Sequence, residues 1–350
     1  MIGTALGGGG HGHPVLAQVS GTARRAPGRS PRSLPVVIDR LDLEAIREAA
    51  GRVRPYVVRT PLLRVERPGC ELLLKPESLQ PTGAFKLRGA FNKMLRLPRD
   101  CPGVVAHSSG NHAQAVARAA RVLGMHAVIV MPSDAPAAKR ARTQADGAEV
   151  IEVGPDSEER AQRARELARE RELVAVPPFD DPWVAAGQGT CGLELVEDAG
   201  ELDRFYAPIS GGGLMAGCAV AVRALSPRTE IVGVEPEDGD DTRRSLAAGQ
   251  RVSVPPPRTL ADGLRVRSPG ELTWPVLAKH VSRVEVVCDE ELLHAMAWAL
   301  SEVRLVLEPS GAAALAVALR EGRGRCGVVL SGGNVDAALL ADVSTRLRRA

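Results

Sequence analysis

Between Glu71 and Leu330, short apolar runs that read as strands alternate with longer segments of helical period. Strand-like runs include Glu71–Leu74, Gly103–Ala106, His126–Met131, Glu149–Val153, Asp203–Ile209, Glu230–Glu235 and Gly327–Leu330. Parallel strands need crossover connections, and a helix is the usual one. The alternation therefore predicts an α/β fold with mainly parallel, doubly wound sheets. Ligands of such folds gather outside the carboxyl ends of the strands. At 350 residues the chain exceeds what one core comfortably fills, so two lobes are expected.

Composition narrows the function classes. Hydrophobic residues make up 44%, charged residues 25%, and the net charge is +3 with both signs interspersed, which gives no electrostatic case for nucleic acid or an anionic membrane. Aromatic residues are only 3%, too few for a base-stacking platform. No apolar run approaches the roughly 18 residues of a spanning helix. The six cysteines are scattered without a CxxC pair, which argues against a disulfide framework or zinc site and for a reducing cytoplasm. Residues 1–36 differ from the rest: glycines, His11, His13 and several arginines lie among Pro and Ser, with no acid before Asp39. They read as a disordered extension, or a start assigned too early. No regulatory domain is expected after Ala350.

Chemistry-bearing residues concentrate at the junctions. In Lys75–Met94, an apolar run leads through Pro76, Pro81 and Gly83 into a helical pattern near Phe85, and Lys86 stands at the joint. A lysine desolvated there becomes an amine nucleophile, whereas base rates favour a surface charge. Ser210-Gly211-Gly212-Gly213-Leu214 follows a strand and opens a helix, so its backbone N–H groups and the helix dipole can cradle phosphate; a plain tight turn is the other reading. His107-Ser108-Ser109-Gly110-Asn111-His112 sits at another such junction, where Ser and Asn can cap the helix or receive a carboxylate. Ser331-Gly332-Gly333-Asn334 closes the last strand; the neutral Ser331 hydroxyl would suit an unprotonated pyridine nitrogen, and a plain glycine turn is equally supported by this stretch alone. Glu235-Pro236-Glu237-Asp238-Gly239-Asp240-Asp241 packs acids into a turn that fits either a hard cation or a solvated loop.

Taken together, Ser78–Ala90 (Ser-x-x-x-x-Thr-Gly-x-Phe-Lys-x-Arg-Gly-Ala), Ser108–His112, Pro178–Pro182, Ala186–Thr190, Ser210–Leu214 and Ser331–Asn334 resemble one family. These motifs look like those of the pyridoxal-phosphate enzymes with a tryptophan-synthase-β-like fold (fold type II), within the serine/threonine dehydratase and serine racemase group. The resemblance covers about residues 40–345. It implies a large cofactor-binding domain of residues 37–102 plus 181–350, a small mobile domain of residues 103–180, and a homodimer. By the same resemblance, Lys86 holds the cofactor as a Schiff base and Phe85 packs on its ring. Asn111 binds the ring's 3-hydroxyl, Ser210 and Gly211–Leu214 the phosphate, and Ser331 the pyridine nitrogen. Ser108, Ser109, Gly110 and His112 would cradle the carboxylate of a small amino-acid substrate.

The reaction implied is β-elimination of water from L-threonine or L-serine to a 2-oxo acid and ammonia, with Lys86 as the α-proton base. Racemisation needs a second acid on the opposite face, which in the racemases is the serine matching Ser109. The racemases also carry a Mg2+ or Ca2+ site, matched here by Glu235, the Gly239 carbonyl and Asp241. Pro178–Pro182 instead has the dehydratase form. The expectation is a serine/threonine dehydratase, with a serine racemase or 3-hydroxyaspartate dehydratase as alternative. A non-catalytic cofactor or amino-acid-binding protein of the same fold would not need Lys86, Asn111, the glycine turn and Ser331 together.

Overall fold

The computed structural model describes residues 41–347 apart from 109, 136, 155 and 156. The extension read in residues 1–36, with His11 and His13, and the second-face residue Ser109 lie outside the described residues.

Ten strands form two sheets: β1 Leu63–Arg67, β2 Cys70–Pro76, β3 Val104–His107, β4 Ala127–Pro132, β5 Glu149–Val153, β6 Val174–Ala175, β7 Arg204–Pro208, β8 Glu230–Pro236, β9 Arg283–Val287 and β10 Gly324–Leu330. The larger sheet runs β1-β2-β10-β7-β8-β9 and the smaller β5-β4-β3-β6. Every pairing is parallel except the β1–β2 hairpin, as the alternation of strand and helix patterns predicts. Strand β4 reads Ala-Val-Ile-Val-Met-Pro and is buried throughout, the pattern of a strand covered on both faces.

The helices that cover the sheets are α1 Leu43–Val53, α2 Lys86–Met94, α3 Asn111–Leu123, α4 Ala137–Ala145, α5 Ser157–Glu170, α6 Pro182–Ala199 and α7 Gly213–Leu225. After them come α8 Asp241–Ala248, α9 Trp274–His280, α10 Asp289–Trp298, α11 Pro309–Glu321 and α12 Ala337–Leu347. The α8 and α9 helices fall where the sequence pattern is silent. Their short, mixed-polarity segments carry too little periodicity to be read.

Helix α6 departs from what the local helix propensity of its residues favours. Its glycines suggest a broken helix, yet it runs unbroken for 18 residues from the Asp181 N-cap, with Pro182 in the first turn. A Cβ at Gly187 would press on Gly89 and the Arg88 carbonyl, and one at Gly189 would press on Gly217. Glycine weakens a helix interior by about 1 kcal/mol per residue, but here it lets α2 and α7 approach backbone to backbone.

Register then gathers the loops. Leu330 of β10 pairs with Pro76 of β2, and Pro208 of β7 with Val234 of β8, so these parallel strands end along one edge of the larger sheet. The Lys86 loop, the Ser331 turn, the glycine turn and the acidic turn all leave from that edge.

Candidate active site

Lys86 is the first residue of α2, reached through the Thr82–Phe85 loop. That loop is clamped to the last turn of the larger sheet. The Phe85 N–H donates to the Ser331 carbonyl at 3.1 Å, the Gly333 N–H to the Gly83 carbonyl at 2.9 Å, and Ala84 bridges Gly332. Gly83 has φ 71°, and a Cβ on it would lie 2.6 Å from Asn334 Oδ1, so glycine is required by both conformation and space.

Two residues beyond the lysine, Arg88 is wholly buried and forks onto Glu77 and Glu194. Lys75 completes the cluster, 2.7 Å from Glu194 and 2.6 Å from the Thr60 carbonyl. Two cations meet two anions, and the Thr60 and Thr190 hydroxyls take part in the hydrogen bonding. Breaking a buried pair of this kind costs about 3–5 kcal/mol, so the cluster fixes the start of α2 against α6. The sequence reading did not weigh these residues, because charged side chains are by base rate exposed.

Lys86 itself meets no carboxylate among the described residues. Its Nζ donates to the Pro178 carbonyl at 2.8 Å and stands 5.0 Å from the Phe85 ring centroid. Burial without a counter-charge lowers its pKa to about 8. A sizeable share of the amine is therefore neutral near physiological pH.

The glycine turn lies beside the same segment. A Cβ at Gly211 would overlap the Phe179 ring, and Gly212 has φ 95° with Thr273 Oγ1 placed 2.7 Å from its would-be Cβ. The Gly211 carbonyl accepts from Thr273 Oγ1 at 2.6 Å and from the Gly270 N–H at 3.1 Å. In a planar trans peptide the following N–H, that of Gly212, points the opposite way. It joins the first N–H groups of α7, which have no carbonyl partner within the helix, and the helix dipole adds to them. The arrangement is a cradle of N–H groups able to receive an anion, and its glycines are required by close packing against Phe179 and Thr273.

Asn111 begins α3, and no side-chain cap closes that helix at Gly110, so the capping reading of the Ser108–His112 turn does not hold for Asn111. Its amide is held at both ends instead: Nδ2 donates to Glu308 Oε1 at 2.6 Å, and Oδ1 accepts from Asn334 Nδ2 at 2.8 Å. Ser108 is spent locally. Its N–H extends the sheet to the Val130 carbonyl and its Oγ accepts from the Gly110 N–H. His112 is buried, with Nε2 2.8 Å from the Val176 carbonyl and no partner for Nδ1 among the described residues. A carbonyl only accepts, so Nε2 carries the hydrogen and Nδ1 presents a lone pair. Burial, then the Lys86 charge, lowers the His112 pKa to about 3, so the ring is neutral. Ser331 is buried, and its hydroxyl donates to the Ser310 carbonyl at 3.3 Å, a long bond that leaves it able to turn.

The acidic turn divides. Glu237 and Asp238 are exposed, while Glu235, Asp240 and Asp241 are buried. Glu235 accepts from the Thr242 and Arg243 N–H groups, Asp240 pairs with Arg243 and Arg244, and Asp241 Oδ2 has no partner among the described residues. Burial first, and neighbouring carboxylates after it, raise the Glu235 and Asp241 pKa values. No group of three or more His, Cys, Asp or Glu side chains placed to hold a metal occurs among the described residues.

A buried lysine without a counter-charge, an anion cradle, an anchored amide and a loosely held serine are what pyridoxal phosphate requires. The lysine, cradle and serine leave one edge of the larger sheet, and Asn111, after β3 of the smaller sheet, meets it through Asn334. The family model described as pyridoxal-phosphate dependent enzyme matches residues 53–332. The L-threo-3-hydroxyaspartate ammonia-lyase of Saccharomyces cerevisiae is 42% identical, the match covering 83% of this chain and 92% of that one. The serine racemase of Oryza sativa subsp. indica is 40% identical over 85% of this chain and 92% of its own. Among solved structures, a T.th. threonine deaminase superimposes with a TM-score of 0.81 at 46% identity, covering 84% of this chain and 99% of that one. The chain belongs to the pyridoxal-phosphate dependent enzyme family, in its tryptophan-synthase-β-like branch.

Proposed function

We propose that the protein is a pyridoxal-phosphate-dependent ammonia-lyase that takes L-threonine, L-serine or 3-hydroxyaspartate to the 2-oxo acid and ammonia. The observation that carries this reading is Lys86: buried, without a counter-charge, and held beside a glycine cradle and an anchored asparagine. The cofactor, when bound, supplies a Schiff-base linkage and an electron sink for the charge left by the departing α-proton. The residues that hold it are Lys86 and Phe85, Asn111 at the 3-oxygen, Ser210 and Gly211–Leu214 at the phosphate, and Ser331 at the pyridine nitrogen. Ser331, uncharged, leaves that nitrogen unprotonated.

Once free of the linkage, Lys86 takes the α-proton at Nζ, where the low pKa keeps the amine ready. Lys86 then passes that proton to the β-hydroxyl, which leaves as water, and hydrolysis of the remaining unsaturated amine releases ammonia. The substrate carboxylate is received by the N–H groups at the start of α3 and by the Ser108 hydroxyl, whose hydrogen is still free to donate, and Ser109 is assigned to the same cradle by the family resemblance alone. The neutral His112 ring offers an acceptor, so its part in that cradle falls to its backbone N–H, and Nδ1 suits a hydroxyl or ammonium of the substrate.

Racemisation is the second reading. The likeness to serine racemases and the buried Glu235–Asp241 pair favour it. In it Ser109 works the face opposite Lys86, and Mg2+ or Ca2+ binds Glu235, Asp241 and the Gly239 carbonyl, relieving two desolvated carboxylates. The segment 103–180 acts as a small mobile domain on the larger one, linked to it by the Lys139–Asp262 ion pair. A homodimer working in a reducing cytoplasm completes the reading, in keeping with six free thiols. One assay decides between the readings: 2-oxo-acid release, and chirality of the remaining substrate, from L-threonine, L-serine, D-serine and 3-hydroxyaspartate. Oxo acid with unchanged chirality supports the lyase, scrambled chirality supports the racemase, and neither product from any substrate contradicts both.

A further inference from the structure

Glu308 stands at the N-cap of α11, with Pro309 opening the helix, but its side chain caps nothing. It is buried, and its Oε1 lies where a Cβ on Gly332 would be, so the residue after Ser331 must be glycine to leave room for this carboxyl group. The one polar partner of its side chain among the described residues is Asn111, at 2.6 Å.

The orientation of that asparagine follows from a backbone carbonyl. Asn334 Nδ2 donates to the Thr82 carbonyl at 2.7 Å, which fixes the nitrogen end of Asn334. The same nitrogen donates to Asn111 Oδ1 at 2.8 Å, which fixes the oxygen end of Asn111. Asn111 Nδ2 therefore faces Glu308 with one hydrogen, and the second hydrogen is left for another acceptor.

We propose that Glu308 is a positioning residue of the cofactor site: its carboxyl group locks the Asn111 amide with the second Nδ2 hydrogen turned to the pyridine 3-oxygen, and the proton on Glu308 sets the charge facing that oxygen. The inference rests on the reading of Asn111 as the 3-oxygen partner. Burial first, and the Asp262 charge after it, raise the Glu308 pKa to about 7, against the Asn111 hydrogen bond and Lys139. Asp262 and Lys139 are paired with each other, so the charge from α4 opposes part of the Asp262 effect on Glu308. Below about pH 7 the carboxyl is neutral and the 3-oxygen can carry negative charge beside it. Above that pH a second negative charge opposes it, and the shared proton of the Schiff base moves towards the oxygen.

The absorbance of the bound cofactor reports this shift, since the long-wavelength band belongs to the form protonated on nitrogen and the near-ultraviolet band to the form protonated on oxygen. The test titrates holoenzyme spectra of the parent protein, Glu308→Gln and Glu308→Ala across neutral pH. The parent is expected to lose long-wavelength absorbance as pH rises, with a midpoint near about 7. Glu308→Gln, which keeps the hydrogen bond but cannot ionise, is expected to bind cofactor and to lack that step. Glu308→Ala, which loses the hydrogen bond as well as the charge, is expected to show less long-wavelength band than Glu308→Gln at every pH; if it does not fold, the glutamine variant still decides. A glutamine variant that titrates as the parent does overturns the inference. Absence of cofactor on Lys86 after borohydride reduction of the parent overturns the underlying reading instead, so the two failures are distinct.

Discussion

Lys86 Nζ lies 2.8 Å from the carbonyl of Pro178, and that carbonyl is the only hydrogen-bond acceptor the described residues offer it. A carbonyl holds an ammonium or an amine in place without stabilising the positive charge as a carboxylate does. Position is thereby separated from charge state. The buried cations nearby are treated differently: Lys75 and Arg88 each meet Glu194.

This contrast has a pH consequence. The Lys86 pKa in the folded chain is about 8, lowered by burial, against about 10.4 for an unfolded lysine. Between those limits the unfolded chain binds more protons, so this residue makes apoprotein stability rise with pH there. Urea unfolding of the cofactor-free protein should show Lys86→Met more stable than the parent near neutral pH. The gap should close as pH climbs past about 8. A gap that does not change with pH would contradict the burial argument.

The glycine turn should tolerate no side chain. At Gly212, alanine meets a φ of 95° and Thr273 at 2.7 Å, and strain and overpacking of this kind together cost roughly 1–3 kcal/mol. We expect Gly212→Ala to lower the melting temperature and to weaken cofactor binding at least tenfold, read by fluorescence titration of the apoprotein. Gly249, also at positive φ but with open space around it, is the control: Gly249→Ala should leave cofactor affinity unchanged.

Arg88→Met would leave Glu77 and Glu194 buried against Lys75 alone. The expected loss is about 3–5 kcal/mol in chemical unfolding. Arg88→Lys should recover little, since one ammonium cannot fork onto both carboxylates. Full recovery by lysine would mean that charge alone, rather than the fork, holds the start of α2.

For the acidic turn, Mg2+ or Ca2+ added to protein stripped with chelator should raise the melting temperature, and Asp241→Asn should abolish the response. Asp238→Asn, on the exposed side of the same turn, should not. An unchanged melting temperature in the parent protein would leave Glu235 and Asp241 as buried carboxyls that bind no metal.

Much of this was legible in the sequence for a physical reason: glycine turns, proline breaks and strand-length apolar runs are local signals. Lys86, Asn111, Gly211–Leu214 and Ser331 each sit at such a junction; the parallel register of the larger sheet brings all but Asn111 to one edge, and Asn111, from the smaller sheet, meets them through Asn334 and Glu308. Glu308 is far in sequence from Asn111 and reads only as a glutamate before a proline, with nothing local to mark its burial. The Arg88 cluster was missed for the same reason. His112 sits at the junction the sequence marks, but its ring polarity depends on Val176, a residue whose position only the fold supplies. The α6 glycines misled because helix propensity is local, whereas the close approach they permit is not.

The central claim is that Lys86 carries the cofactor. The most direct measurement is borohydride reduction of the holoenzyme, digestion, and mass spectrometry of the peptides. The account predicts a pyridoxyl-phosphate group on Lys86, absent in Lys86→Ala along with 2-oxo-acid release. Label on any other lysine, or full activity in Lys86→Ala, would contradict it.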